Sequence, residues 1–260
     1  MAARVPTPPP AVVAPVRLLA TMPVRDEAAR YLDPVLDWLV NNVTAHVAVY
    51  DDRSDDNTVA VARDHGCHVC IRPPDSTPFL EDESKFREEA WRWLEVSLDP
   101  QPGEWVLAID ADEFFIADDA TVESDKLHDV IARADAEQAD AVMFPRHEVF
   151  GFDIDGIPMI RTDGWWAHIV NQRLVRWMAG GSFNRQGLAG GSLPEYVRRS
   201  VFDRRTAILH FGYATTADRQ AKHDRYIGRE GHSRDHIDSI LAPPKLERWT
   251  GKVPILGGSE

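Results

Sequence analysis

The sequence predicts an α/β fold. It reads as a mostly parallel, nucleotide-type sheet with helices on both faces, followed by a less regular half. Three observations predict it. Short apolar runs alternate with helix-patterned segments up to about residue 146. The alternation stops there and gives way to a stretch rich in Gly and Trp. Two of the apolar runs end in acidic clusters, at the edge where open α/β sheets bind ligands.

The first run is "VRLLAT" (16–21), a buried strand. Residues 26–40, "DEAARYLDPVLDWLV", place Ala29, Leu32, Leu36, Leu39 and Val40 at helical spacing, with Pro34 perturbing or restarting the helix. "AHVAVY" (45–50) is the second strand. "SDDNTVAVARDHG" (54–66) opens on capping residues and stops on Gly66, as a helix does. "CHVCI" (67–71) is a third strand. A Pro-rich loop leads to "ESKFREEAWRWLEVSL" (83–98), a helix with Phe86, Ala90, Trp93 and Leu94 on one face. "EWVLAI" (104–109) is the fourth strand, a helix covers about 123–137, and "DAVMFPR" (140–146) is the fifth strand.

Beyond it, "QRLVRW" (172–177) is a short strand and "TADRQAKHDRYIGRE" (216–230) a polar helix. The expected organisation is a disordered Pro-rich tail (1–15) lacking the apolar core of a signal peptide, a nucleotide-binding half (16–146), a second half of the same domain (147–230), and an irregular C-terminal segment (231–260). "MAGGSFNRQGLAGGS" (178–192) reads as a mobile loop able to close over a ligand.

Composition narrows the function. With 260 residues, 43% of them hydrophobic, the chain suits one large domain. No apolar run approaches the ~20 residues of a spanning helix. A net charge of −13 argues against a broad basic surface for nucleic acid or anionic lipid. Cys67 and Cys70 form a lone C-x-x-C without the second pair a structural zinc needs. They read as small apolar fillers, and such sparing cysteine use fits a reducing, cytoplasmic compartment.

The chemistry lies in the acids. In "EWVLAIDADEFF" (104–115), Asp110 and Asp112 are two apart and, if extended, project to one side of a strand end. Two such carboxylates repel and need neutralising. A divalent cation does so, and oxygen donors suit Mg²⁺ or Mn²⁺. At ~4 Å and an effective dielectric of ~20, each charge pair is worth roughly 4 kcal/mol as an upper guide. A second cluster, "VYDDRSDDNT" (49–58), puts Asp51 and Asp52 directly after the second strand, where a carboxylate can accept from a base N–H or a ribose hydroxyl. "TMPVRDEA" (21–28) contains neither a dinucleotide fingerprint nor a P-loop, so phosphate binding falls to a metal.

Together, "MPVRDEAARYLDPVLDWL", "VYDDRSDDNT", the lysine of "ESKFREEAW", "WVLAIDADEFF" and a late "LHFGY" resemble the family-2-like glycosyltransferases of the GT-A fold, in the branch with a "DADEF" sequence. The resemblance spans roughly residues 17–227. It implies a nucleoside-diphosphate sugar donor (a UDP- or GDP-sugar) and an Mn²⁺ or Mg²⁺ ion. By the same resemblance Pro23 and Arg25 line the nucleoside pocket, Asp51 contacts the base with Asp52 near it, and Asp110 faces ribose or metal. Asp112 ligates the metal, His210 is the candidate third ligand, and Glu113 extends the motif. Lys85 and Arg87 lie near the diphosphate or sugar, and Lys222 or Arg225 neutralises the departing diphosphate. Lys126 and Arg133 have no such context.

An inverting transfer also needs a general base. His147, Glu148, Asp153, Asp155, Asp163 and His168 are available, and Glu148 and Asp163 are nominated alongside Asp112 as catalytic. Trp165 and Trp166 suit sugar stacking or core packing. The acceptor is open: a glycan, a small metabolite, a protein or modified nucleic acid. A metal-dependent phosphoesterase and a sugar-phosphate nucleotidyltransferase are the competing readings. The first should show extra histidines beside the acids, and the second a glycine-rich basic loop after the first strand.

Overall fold

Four parallel strands organise the first half of the chain: β1 (Leu18–Val24), β2 (Val47–Asp51), β3 (His68–Ile71) and β4 (Trp105–Ala108). They stand in the order β3-β2-β1-β4. The computed structural model describes residues 16–77, 82–117, 120–183, 193–227 and 233–250. The expected N-terminal tail and most of the glycine-rich loop at 178–192 lie outside the described residues.

Both faces of the parallel strands are buried, which is why they read as continuous apolar runs. On β1, Leu18, Ala20 and Met22 face one core while Leu19 faces the other. Trp105 and Leu107 of β4 join the first core and Val106 the second. One face is covered by α1 (Leu32–Trp38) and α4 (Ser124–Ala136), and the other by α3 (Glu83–Leu98). In α3 the buried aromatic is Trp91, stacked on Trp177 with ring centroids 5.3 Å apart, whereas Trp93 is half-buried.

Helix α1 starts later than the periodicity predicts. Pro34 has no N–H, so it is tolerated in the first turn but not in a helix interior. The helix therefore begins at Leu32, and residues 28–31 form a turn. It continues as a π-turn over Leu39–Val43. Helix α2 (Thr58–Asp64) follows β2.

After β4 the chain reverses into β5 (Glu113–Ala117) and the short β6 (Ala120–Thr121). The expected fifth strand is β7 (Ala141–Phe152), longer than predicted. It does not continue the parallel run. It is antiparallel to β9 (Val170–Arg176), which is itself antiparallel to β4. On its other edge β7 runs parallel to β11 (Thr206–His210), and β11 pairs antiparallel with β5. Strand β8 (Pro158–Arg161) forms a hairpin with β7, and β10 (Ser200–Phe202) pairs with the start of β7.

Helix α5 (Thr216–Tyr226) begins at a capping box between Thr215 and Asp218. The segment 231–260, expected to be irregular, carries α6 (Arg234–Leu241) and β12 (Leu246–Arg248). Ser233 caps α6, which buries only Ile237 and Ile240. Two apolar residues are too few to register as a period. Strand β12 is held as an edge partner of β8.

Candidate active site

The acidic turn between β4 and β5 is where the elements meet. Asp110 and Asp112 are not on an extended strand end. The strand stops at Ala108, and the Glu113 N–H donates to the Asp110 carbonyl at 3.2 Å, closing a turn. The Phe211 N–H donates to the Asp112 carbonyl at 2.8 Å, tying the turn to the end of β11. The β5–β11 register sets His210 opposite Glu113. The site is thus built where β4, β5, β7, β11 and α5 converge.

The two motif acids have different partners. Asp110 accepts from Arg87 Nη1 at 3.0 Å and from Arg173 Nη2 at 2.5 Å. Arg173, 2% exposed, also donates to Glu113 at 2.6 Å. Burial opposes ionisation of Asp110, but Arg173 and Arg87 outweigh it and hold the carboxyl well below its usual range. The neutralising cations expected from a metal are, at Asp110, two guanidinium groups. Asp110, expected to face ribose or metal, is engaged here by Arg87 and Arg173.

Asp112 faces His210, whose Nε2 lies 3.4 Å from its Oδ1. The other ring nitrogen, Nδ1, meets the Glu148 carboxylate. Glu148 is fully buried and also pairs with Arg146. Its burial is outweighed by Arg146 and His210, which lower its pKa to about 2. Glu148, nominated as a general base, is thus paired with Arg146 on one side and His210 on the other. Asp163, the other nominated base, is also paired. Both its oxygens accept from Arg161, at 2.8 and 2.9 Å, and the Lys245 N–H donates to it at 3.1 Å. The Arg161 hydrogen bonds bring its pKa to about 2.

Gly212 is the residue that sequence reasoning missed. A Cβ at this position would lie 2.1 Å from Lys222 Nζ, 2.7 Å from His210 Nε2 and 2.8 Å from Asp112 Oδ2. Three functional groups thus converge on one bare backbone atom. Lys222 also sits 4.3 Å above the Tyr213 ring. Helix α5 is held over the site by Arg30, which donates to Asp218 at 3.0 Å and to both oxygens of Glu27 at 2.8 and 2.9 Å. Burial, with Asp112 nearby, pushes the Glu27 carboxyl up to about 7.

The second acidic cluster is tightly bound as well. Asp51 is 1% exposed and accepts from the Ser54 hydroxyl at 2.5 Å and the Ser54 N–H at 3.0 Å. Asp52 is ringed by Arg25 at 3.4 Å and by Arg53 and Arg72 at 3.2 Å. Arg72, buried, bridges onward to Glu89 at 2.6 Å. Pro23 pairs in register with Tyr50 on β2. Lys85 lies in the first turn of α3 and donates to Thr77 at 2.9 Å. Of the remaining base candidates, Asp153 and Asp155 pair with Arg248, and His147 packs on Trp249. Trp166 is buried against Phe150 and Tyr213, while Trp165 stacks on it half-exposed.

Arg173 and Gly212 each had a faint signal. Arg173 is a charge in the apolar stretch "RLV" of a strand, and Gly212 immediately follows a strand-end His-Phe pair. Neither signal names a partner without the fold.

The residues present fit a divalent ion only in part. Among the described residues no three His, Cys, Asp or Glu side chains form a ready ligand group. Asp112 and His210 do form a pair, and the carboxylate on His210 Nδ1 is the support a ligating imidazole ordinarily has. A hard cation that keeps waters and takes substrate phosphates needs no more from the protein.

No family model and no curated protein matches the sequence. Among solved structures, S. aureus TarS is similar over 87% of this chain and 42% of that one, at 16% identity and a TM-score of 0.48. The chain thus spans less than half the length of that protein. A structure of TarS 1-349 is similar over 87% of this chain and 69% of that one, at 14% identity and a TM-score of 0.47. Glucosyl-3-phosphoglycerate synthase from Mycobacterium tuberculosis, in complex with Mn²⁺ and UDP-glucose, is similar over 51% of this chain and 44% of that one, at 21% identity and a TM-score of 0.34.

Proposed function

We propose that this chain is a glycosyltransferase of the GT-A type that moves a sugar from a nucleoside-diphosphate sugar, a UDP- or GDP-sugar, to an acceptor hydroxyl. One observation carries the reading. Asp112, His210 and Lys222 converge on Gly212 beside the C-terminal edge of a parallel sheet, the edge where such sheets bind ligands. A carboxylate and an imidazole for a cation, next to an ammonium, form a place for a diphosphate. A hydrolytic metal site should instead gather more histidines and acids, and among the described residues it does not.

In this reading Asp112 and His210 hold Mn²⁺ or Mg²⁺, which when bound supplies Lewis-acid stabilisation to the leaving diphosphate. Lys222 adds a positive charge on the same side and gains most as negative charge builds on the departing oxygens. Glu148 keeps the His210 Nδ1 proton in place, so that Nε2 points at the site. Arg87 and Arg173 hold Asp110, and through it the turn that carries Asp112. The nucleoside lies towards β2 and β3, beside Asp51, Asp52 and Arg25. No helix among the described residues is long and apolar enough to cross a membrane.

The test is a panel of UDP- and GDP-sugars with and without Mn²⁺, read by thermal shift and by donor hydrolysis. Stabilisation by one nucleotide only when Mn²⁺ is present is expected. Indifference to every nucleotide in both conditions overturns the assignment.

A further inference from the structure

Helix α5 carries Lys222 to the site, yet it buries none of its own residues. A surface helix is ordinarily placed by a buried apolar stripe. Without a fully buried side chain, α5 depends on polar ties, and two of them leave its first turn. Arg219 donates to the carbonyls of Phe150 and Tyr213 at 3.0 and 2.8 Å, which ties the helix to β7 and the end of β11. Asp218 accepts from Arg30 at 3.0 Å, which ties it to the turn between β1 and α1. Among the described residues this is the one ion pair that joins α5 to the first half of the chain.

The Arg30 guanidinium is shared between two acids. Its Nη2 meets Asp218, and its Nη1 donates to both Glu27 oxygens at 2.8 and 2.9 Å. Glu27 is itself anchored. Its N–H donates at 2.8 Å to the hydroxyl of Thr58, which is fully buried at the start of α2. The Arg30 and Asp218 side chains are 29% and 16% exposed, so water and salt screen the pair less than one at the open surface. The tie thus runs from a fixed point in the parallel half, through one guanidinium, to the helix.

Asp218 and Lys222 are four residues apart and lie on one face of α5. A rotation that turns Asp218 away turns Lys222 away with it. The Lys222 ammonium rests 4.3 Å from the Tyr213 ring, so its reach towards Gly212 is set by where α5 stands. We propose that Arg30 is a positioning residue: by clasping Asp218 to Glu27 it holds α5 so that Lys222 faces the pair formed by Asp112 and His210. This rests on the function proposed above, in which Lys222 meets the diphosphate, and Arg30 acts through Lys222 and not on the ligand.

The experiment uses the full chain and a cycle of Arg30→Met, Lys222→Met and the double variant. Calorimetric titration with UDP and with GDP, each in the presence of Mn²⁺, measures binding, and hydrogen exchange follows the α5 amides without ligand. Lys222→Met should weaken binding of the preferred nucleotide by about tenfold, the loss of one charge-assisted contact. Arg30→Met should cause a loss of similar size and faster exchange in α5. Added to Lys222→Met, it should weaken binding by less than about twofold more, because the group it positions is gone. Arg30→Lys keeps a charge but cannot fork between two acids, and should recover part of the affinity. It also takes the place of Arg30→Met in the cycle should the methionine variant fail to fold. Full nucleotide affinity or unchanged α5 exchange in Arg30→Met, or an equal loss with and without Lys222, overturns the proposal and leaves the assignment of function standing. A natural chain indifferent to both nucleotides overturns the two together.

Discussion

Gly212→Ala is the sharpest perturbation the structure offers. The backbone there does not lie in the left-handed region, so alanine is conformationally permitted and the whole effect comes from one methyl group. That methyl would sit 2.7 Å from His210 Nε2 and 2.8 Å from Asp112 Oδ2, while ordinary contact begins at 3.4 Å, so the two groups must retreat by 0.7 and 0.6 Å. Lys222, the third neighbour, is the far end of a flexible side chain and swings away at little cost. His210 cannot follow, because Glu148 holds its other nitrogen and is itself buried. The Asp112 backbone is fixed by the bond from the Phe211 N–H, so its carboxylate can retreat only by turning about its own side-chain bonds. Overpacking of this kind costs about 1–3 kcal/mol. Loosening of a metal pair by its surroundings typically costs about 10–100-fold in affinity. The expected outcome is a folded protein with a modestly lower Tm and Mn²⁺-dependent UDP binding weakened by about 10–100-fold, measured by calorimetric titration. Unchanged UDP affinity in the presence of Mn²⁺ would refute the convergence of these groups on the ligand.

Three further outcomes are expected. Asp112→Asn should abolish Mn²⁺-dependent nucleotide binding and transfer while keeping the fold, and retained metal-dependent binding counts against its role. Arg173→Met leaves Asp110 and Glu113 without their shared buried cation and should destabilise the chain by about 3–5 kcal/mol, checked by urea unfolding. Glu27 carries a carboxyl raised from 4.5 to about 7, so the folded state binds the proton more tightly than the unfolded state. Stability from this group is complete below the unfolded pKa and is lost as pH rises towards about 7. Glu27→Gln should therefore raise stability at pH values above that range by up to about 3 kcal/mol and change it little in acid. A stabilisation independent of pH sinks this assignment.

Most of the parallel half was legible in the sequence because both faces of its strands are buried. An apolar run such as "HVAVY" between two helix-patterned segments reads as a strand buried on both faces. The antiparallel half was not, because its pairings are non-local. Nothing in "AVMFPRHEVFGF" says that β9, which starts at Val170 while β4 ends at Ala108, will lie between β4 and β7. In the site, the acids and His210 were legible by type and position. Their partners were not. Arg173 and Arg87 reach Asp110 from 63 and 23 residues away, and Glu148 reaches His210 from 62. Sequence spacing gave the carboxylates a common direction, and only the turn after Ile109 separates them.

That separation explains why an apolar strand ends in so many acids. Asp110 and Glu113 with Arg87 and Arg173 form an ion-paired cluster, which Glu83 extends through Arg87. Such a cluster is tolerable near the core only with its hydrogen bonds made, and its geometry fixes the turn. Asp112, between the paired residues, is then held in place by neighbours that already have partners. Its own carboxylate faces an imidazole, an ammonium and a glycine, and each leaves room or charge for something more. On the proposed reading the motif divides its labour: the outer acids lock the turn electrostatically, and Asp112 is the one that binds.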